Sequence, residues 1–189
     1  MKPNLSYQVF PSYDSRVLII ADTSTWAHLI EEPTYIDITL PGSKTAKTLP
    51  YQKEKVNVFN SSNLGYGCEA LCEDDLISLP DGIYCLKVYV CEGNKFFLEN
   101  HYLRTVNLEL KLNKLLVDVG LGCNPNTNCV NQIIEAEMLL KGAKADILFG
   151  NLQDAGKKYE QAFEIVEDLE NCDCSKIKGN NNGYSSTIY

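Results

Sequence analysis

The sequence predicts an α+β fold in which an N-terminal antiparallel β-sandwich is followed by a C-terminal bundle of two to three helices. Short apolar runs separated by turn residues fill the first hundred positions. After about residue 102 the chain changes to unbroken stretches of Leu, Lys, Glu and Asn, and one later segment carries a continuous helical seam. The expected division is therefore a sandwich over 1–102, a helical bundle over 103–175 and a flexible, low-complexity end over 176–189.

The strands follow from period and punctuation. Val17-Leu18-Ile19-Ile20 is a continuous apolar run of the kind found in strands buried on both faces. Ile36, Ile38 and Leu40 alternate with Asp37 and Thr39, and Pro41-Gly42 ends that run. Val56 and Val58 flank Asn57 before Asn60-Ser61-Ser62-Asn63 breaks the pattern. Leu79-Pro80-Asp81-Gly82 is a turn, and the clearest strand follows from Ile83 to Cys91. On it Tyr84, Leu86, Val88 and Val90 share one face while Cys85, Lys87 and Cys91 share the other. Glu92-Gly93-Asn94 then turns the chain into Lys95-Phe96-Phe97-Leu98, which predicts a hairpin. Six or seven short strands at this spacing predict an antiparallel sandwich, of immunoglobulin-like kind.

The helices follow from length and seam. Leu103 to Val119 has no Gly or Pro and carries two competing periods: Val106, Leu108, Leu110 and Leu112 alternate, whereas Leu108, Leu112, Leu115 and Val119 step helically. Its length exceeds an ordinary strand of about 5–6 residues, so a helix is expected over 103–119. A second helix is expected from Val130 to Phe149, with Ile133, Ile134, Leu140, Ile147 and Leu148 in the core. Gly150-Asn151 makes a tight connection to a third, Leu152 to Asn171, on which Leu152, Ala155, Tyr159, Ala162, Val166 and Leu169 form one apolar seam.

Composition narrows the function classes. A net charge of −8 argues against a dominant or sequence-specific nucleic-acid role, because phosphate binding needs clustered Lys and Arg. No stretch approaches the roughly 18–20 apolar residues that span a bilayer, so no membrane partner is expected. Met1-Lys2-Pro3-Asn4 leads into polar residues and tyrosines and not an apolar signal core, which predicts folding in the cytosol.

Eight cysteines are many for such a chain. If the three helices alternate in direction, Cys123, Cys129 and the Cys172-Asp173-Cys174 pair meet at one pole of the bundle. These four sulfurs could hold a structural zinc ion, form one or two disulfides, or remain free thiols. Each of these outcomes is structural, and no other cofactor is expected. Cys68, Cys72, Cys85 and Cys91 read as small side chains at half-buried positions.

Catalytic patterns are weak throughout. Gly65-Tyr66-Gly67-Cys68-Glu69-Ala70 formally matches a dinucleotide fingerprint, but Pro80 follows too soon for the long helix that such a site needs. His28 and His101, the two histidines, lie in no metalloprotease or triad spacing and read as solvated or packed. Glu31-Glu32 and Glu73-Asp74-Asp75 read as loop charges. Gly150 to Ala162 has the look of one tetratricopeptide helix pair, but no second copy is visible. The chain is therefore expected to be non-enzymatic.

Three segments together resemble a known family. They are Leu40-Pro41-Gly42 with Val56-Asn57-Val58-Phe59-Asn60-Ser61-Ser62-Asn63-Leu64-Gly65, then Leu79-Pro80-Asp81-Gly82-Ile83-Tyr84, then the cysteine-flanked helical hairpin. The combination resembles structural proteins of crAss-like bacteriophages, the ring proteins of the head–tail connector and tail. The resemblance covers most of the chain. It implies a virion protein, assembled in the bacterial host cytoplasm, that forms a homo-oligomeric ring against other portal or tail proteins and has no enzymatic activity. Cys68, Cys72 and Cys91 lie outside the pattern, so the resemblance implies no shared metal site. Rotationally repeated heterologous contacts close such rings, and the eleven tyrosines suit interfaces by joining apolar area to a hydroxyl. Two other classes fit the residues: an exported β-sandwich adhesin or carbohydrate-binding module, and a small zinc-stabilised adaptor built on the cysteine pole.

Overall fold

The structure, a computed structural model, describes residues 8–11, 15–21, 35–51, 56–65, 78–89, 97–120 and 127–171. Among the described residues the β-rich half contains seven strands in two antiparallel sheets. β1 (Gln8–Pro11), β2 (Val17–Ala21) and β5 (Val56–Asn60) form one sheet in the order β1-β2-β5. The other is formed by β3 (Tyr35–Thr39), β4 (Ala46–Pro50), β6 (Gly82–Tyr89) and β7 (Phe97–Arg104), in the order β4-β3-β6-β7.

Period-two alternation decides what is buried. Ile36 and Ile38 on β3 and Tyr84, Leu86 and Val88 on β6 turn inward, where they meet Leu18 of β2 and Phe59 of β5 in one hydrophobic cluster. Leu64, Leu79 and Tyr51 join it from the connecting segments. Each fully buried Leu or Ile contributes roughly 1.5–3 kcal/mol by leaving water. The run at 17–20 departs from expectation: Leu18 is buried, but Val17 and Ile19 are only half-buried. Their side chains lie on the opposite face of β2 from Leu18, the face turned away from the shared core.

Two turn motifs of the sequence meet in space. The Leu40–Ser43 turn closes through Ser43 N donating to Leu40 O at 3.0 Å. Its Pro41 packs on Gly82, whose φ of 129° suits glycine, and a Cβ there would sit 2.9 Å from the Pro41 Cβ. Two residues on, the Tyr84 hydroxyl donates to Pro80 O at 2.8 Å, fastening the start of β6 to its own turn.

Of the two competing periods in 103–119 the helical one holds: Val106, Leu108, Leu110 and Leu112, which alternate in sequence, all lie in a helix. Leu103 and Arg104 continue β7, and helix α1 (Val106–Gly120) begins after the buried Thr105. A buried polar clamp fixes this change. Arg104 Nη1 donates to Asp81 Oδ1 at 3.0 Å, and Arg104 Nη2 donates to Ser15 O at 2.6 Å. The same carboxylate caps α1: the amides of Asn107 and Leu108 donate to Asp81 Oδ1 and Oδ2 at 3.2 and 2.8 Å. Asn107 Nδ2 also donates to Leu79 O at 2.7 Å. The junction between the β-rich and helical parts is thus a folded, hydrogen-bonded unit and not a linker, and it lies two residues beyond the expected break at 102.

α2 (Thr127–Leu148) and α3 (Leu152–Asn171) pack as a hairpin. Gly150, at φ 79°, ends α2: its amide donates to Ile147 O at 3.0 Å and that of Asn151 donates to Asp146 O at 2.8 Å, a Schellman closure. The α3 seam is buried at Ala155, Ala162, Val166 and Leu169, with Tyr159 partly buried. Facing it on α2 are Cys129, Ile133, Ala136, Leu140 and Ala143. Small residues at both seams let the two backbones approach closely. Of the expected core residues of α2, Ile133 and Leu140 belong to it, Ile147 is half-buried and outside it, and the other two are exposed. Ile134 is 48% exposed and Leu148 is 86% exposed, because each lies about 100° around the helix from its buried-side neighbours. α1 lies against this hairpin, with Lys144 paired to Glu109 and Lys111 paired to Glu167 and Glu170. These pairs are part-exposed and register the helices more than they stabilise them. Among the described residues no helix is long and apolar enough to cross a membrane.

Candidate functional site

Of the four cysteines expected to meet at one pole of the bundle, Cys129 lies within the described residues; Cys123, Cys172 and Cys174 lie outside them. Cys129 is 4% exposed, sits in the first turn of α2 and is disulfide-bonded. It shares one buried cluster with Val119 at the end of α1 and Leu169 at the end of α3. Cys68, Cys72, Cys91, His28, Glu31-Glu32 and Glu73-Asp74-Asp75 also lie outside the described residues.

A second constellation comes from the outer face of the β6–β7 hairpin. The two strands pair with Cys85 opposite His101 and Lys87 opposite Glu99. Alternation then puts Cys85, Lys87, Glu99 and His101 on one face, opposite the Tyr84–Leu86–Val88 core face. Cys85 Sγ lies 3.6 Å from Glu99 Oε1, and His101 Nε2 lies 3.6 Å from the same oxygen. The other oxygen, Oε2, faces Lys87 Nζ at 3.4 Å. Thiol, imidazole and carboxylate ligand atoms all lie within 4.8 Å of one another. The thiol of Cys85 is free, and burial, followed by the adjacent Glu99 charge, pushes its pKa above 9.0. Glu99 raises the Lys87 ammonium as well, by attraction and a hydrogen bond. Further along this face Asp37 accepts a hydrogen bond from the Thr48 hydroxyl, and Tyr35 stacks on Tyr89 with ring centroids 4.4 Å apart.

The alternation in sequence puts Cys85 and Lys87 on one face, as in the structure, but by itself leaves Cys85 a half-buried small side chain and His101 a solvated or packed histidine. The signal that joins them is register. Each β6–β7 pair is equidistant in sequence from Gly93, the centre of the expected Glu92-Gly93-Asn94 turn, so a symmetric hairpin about that residue already sets Cys85 against His101.

The helical part presents surface features of a different kind. Leu110, Leu116 and Val117 on α1 are 47, 44 and 57% exposed, and Ile134 and Met138 on α2 are 48 and 66% exposed. Leu148 and Phe149, at the α2–α3 connection, are 86 and 81% exposed. A groove of about 220 Å³ runs between α1 and α2, lined by Glu109, Leu112, Asn113, Glu137, Leu140 and Lys141. It is smaller than the roughly 300 Å³ at which small-molecule pockets begin. Compared with protein-family models, curated proteins and solved structures, the chain matches none.

Proposed function

We propose that this chain is a non-enzymatic structural subunit that assembles into an oligomeric ring, as in the head–tail connector or tail of a crAss-like bacteriophage. The observation that carries the reading is the set of large apolar side chains left in water on helices whose shared core is already filled. Leu110 and Val117 recur at seven-residue spacing on α1, and Ile134 and Met138 at four-residue spacing on α2, so each pair forms a strip along its helix. Such strips mark surfaces that another protein covers. Contacts of this kind repeated by rotation close into a ring. The specific phage assignment rests on the sequence resemblance.

The two-sheet part fits an immunoglobulin-like sandwich, a rigid wedge for such a subunit. Its sheets share one core, and the Tyr84–Pro80 hydrogen bond has the form of a tyrosine corner. One observation favours a second reading, the exported β-sandwich module: the disulfide at Cys129, a bond that persists in oxidising compartments.

Size-exclusion chromatography with light scattering on the full chain separates the two readings. The ring reading expects a mass that is a multiple of 21.2 kDa. It also expects Val117→Glu with Met138→Glu to shift that mass to the monomer without changing the far-ultraviolet circular dichroism. A monomer at every concentration that binds glycans would overturn it in favour of the exported module.

A further inference from the structure

We propose that Cys85, Glu99 and His101 form a surface site for a transition metal ion, zinc in the first place, with a fourth coordination position open to solvent. This site uses none of the cysteines expected at the bundle pole and does not depend on the ring reading.

The donor set and its spacing carry the proposal. A thiolate, an imidazole and a carboxylate together suit zinc, whereas magnesium and calcium prefer oxygen alone. Zinc binds sulfur at about 2.3 Å and nitrogen or oxygen at about 2.0–2.2 Å, so at tetrahedral angles the sulfur–oxygen edge is about 3.6 Å and the nitrogen–oxygen edge about 3.3–3.6 Å. The Cys85 Sγ–Glu99 Oε1 and His101 Nε2–Glu99 Oε1 distances are both 3.6 Å. Two edges thus match those of one face of the coordination tetrahedron, and the ligand atoms all lie within 4.8 Å of one another.

The fold holds that triangle. Glu99 and His101 are two residues apart on one strand, so both project to the same side, and Cys85 is the cross-strand partner of His101. Strand-borne ligands are better fixed than loop-borne ones. Lys87 holds Oε2 at 3.4 Å and leaves Oε1 to the ion, an outer contact of the kind that orients ligating carboxylates. Without metal, the Cys85 thiol donates to Oε1. On binding, the S–H proton passes to solvent and the sulfur–metal bond replaces it, with no change of oxidation state. His101 is 26% exposed and Glu99 is 40% exposed, so water reaches the fourth position.

Cobalt(II) titration of the full chain under reducing conditions tests the site. The expected result is a thiolate-to-cobalt charge-transfer band that saturates and is displaced by zinc. The band is expected to be absent in Cys85→Ser, with affinity at least about tenfold weaker in His101→Gln and in Glu99→Gln. A band that survives in Cys85→Ser, or one indifferent to His101→Gln, places the metal on other cysteines and overturns the proposal. No band at all also overturns it. A second measurement needs no variant: the chain has two histidines, and zinc is expected to shift the imidazole NMR signals of one of them. If neither histidine responds, the site does not exist.

Discussion

Removing Asp81 strands a buried charge and uncaps a helix at once, so Asp81→Ala is expected to be among the most damaging single changes in the chain. The Arg104 side chain is 1% exposed and that of Asp81 is 6% exposed, so neither is solvated by bulk water. Taking one partner from a buried pair costs about 3–5 kcal/mol, because the remaining charge is left uncompensated. Loss of an N-cap costs about 1 kcal/mol, and here two amides, those of Asn107 and Leu108, lose their acceptor. The two effects overlap at one carboxylate, so the expected loss is about 4 kcal/mol and not their sum. For a domain of this size about 1 kcal/mol moves the midpoint by about 2–4 °C, which gives a fall of about 8–16 °C. Urea denaturation followed by circular dichroism measures the loss directly. Asp81→Ala combined with Arg104→Met removes both charges and is expected to recover part of the stability. A loss below about 1 kcal/mol for Asp81→Ala, or strict additivity in the double variant, would refute the clamp.

Three further outcomes follow from the same packing. Burial holds the Asp81 carboxyl above 3.8, against the lowering effects of the Leu108 and Asn107 amides and of Arg104. The native state therefore keeps a proton that the unfolded chain has released. The stability this adds is complete below 3.8 and is lost as pH rises through the folded value. Wild type is thus expected to gain stability relative to Asp81→Asn on acidification toward about pH 4, read from paired denaturation midpoints; a gap that narrows contradicts it. Gly82→Ala places a methyl 2.9 Å from the Pro41 Cβ at a φ of 129°, so thermal melting should show a clear loss, whereas Gly42→Ala, with open space around it, should lose less. Ala162→Leu overfills the α2–α3 seam at a fully buried position and is expected to cost about 1–3 kcal/mol by chemical denaturation, whereas Met138→Ala, on the exposed side, stays within about 0.5 kcal/mol.

Local pattern and three-dimensional register divide what could be read in advance. α3 runs over the span its seam predicts, because Ala155, Ala162, Val166 and Leu169 leave one helical phase. The Tyr84–Leu86–Val88 alternation likewise identified the core face of β6. In residues 103–119 the helical step was the true signal, but the preceding strand runs on to Arg104, whose side chain is committed to Asp81 and Ser15, contacts 23 and 89 positions away that no local period contains. Ile134 and Leu148 misled because hydrophobicity alone does not tell a core position from an exposed one. The Cys85–Glu99–His101 cluster needed the pairing of two strands, whereas the expected cysteine pole rested on helix order in the sequence, and three of its four cysteines lie outside the described residues. Composition drew attention to sulfur, but register was what placed one sulfur beside an imidazole and a carboxylate.

The central claim is assembly, and electron microscopy of the purified full chain in negative stain tests it most directly. The account predicts closed rings of uniform diameter with a central opening, lost when Val117 and Met138 are both changed to Glu. A field of single particles of about 21.2 kDa, unchanged by those substitutions, would contradict it.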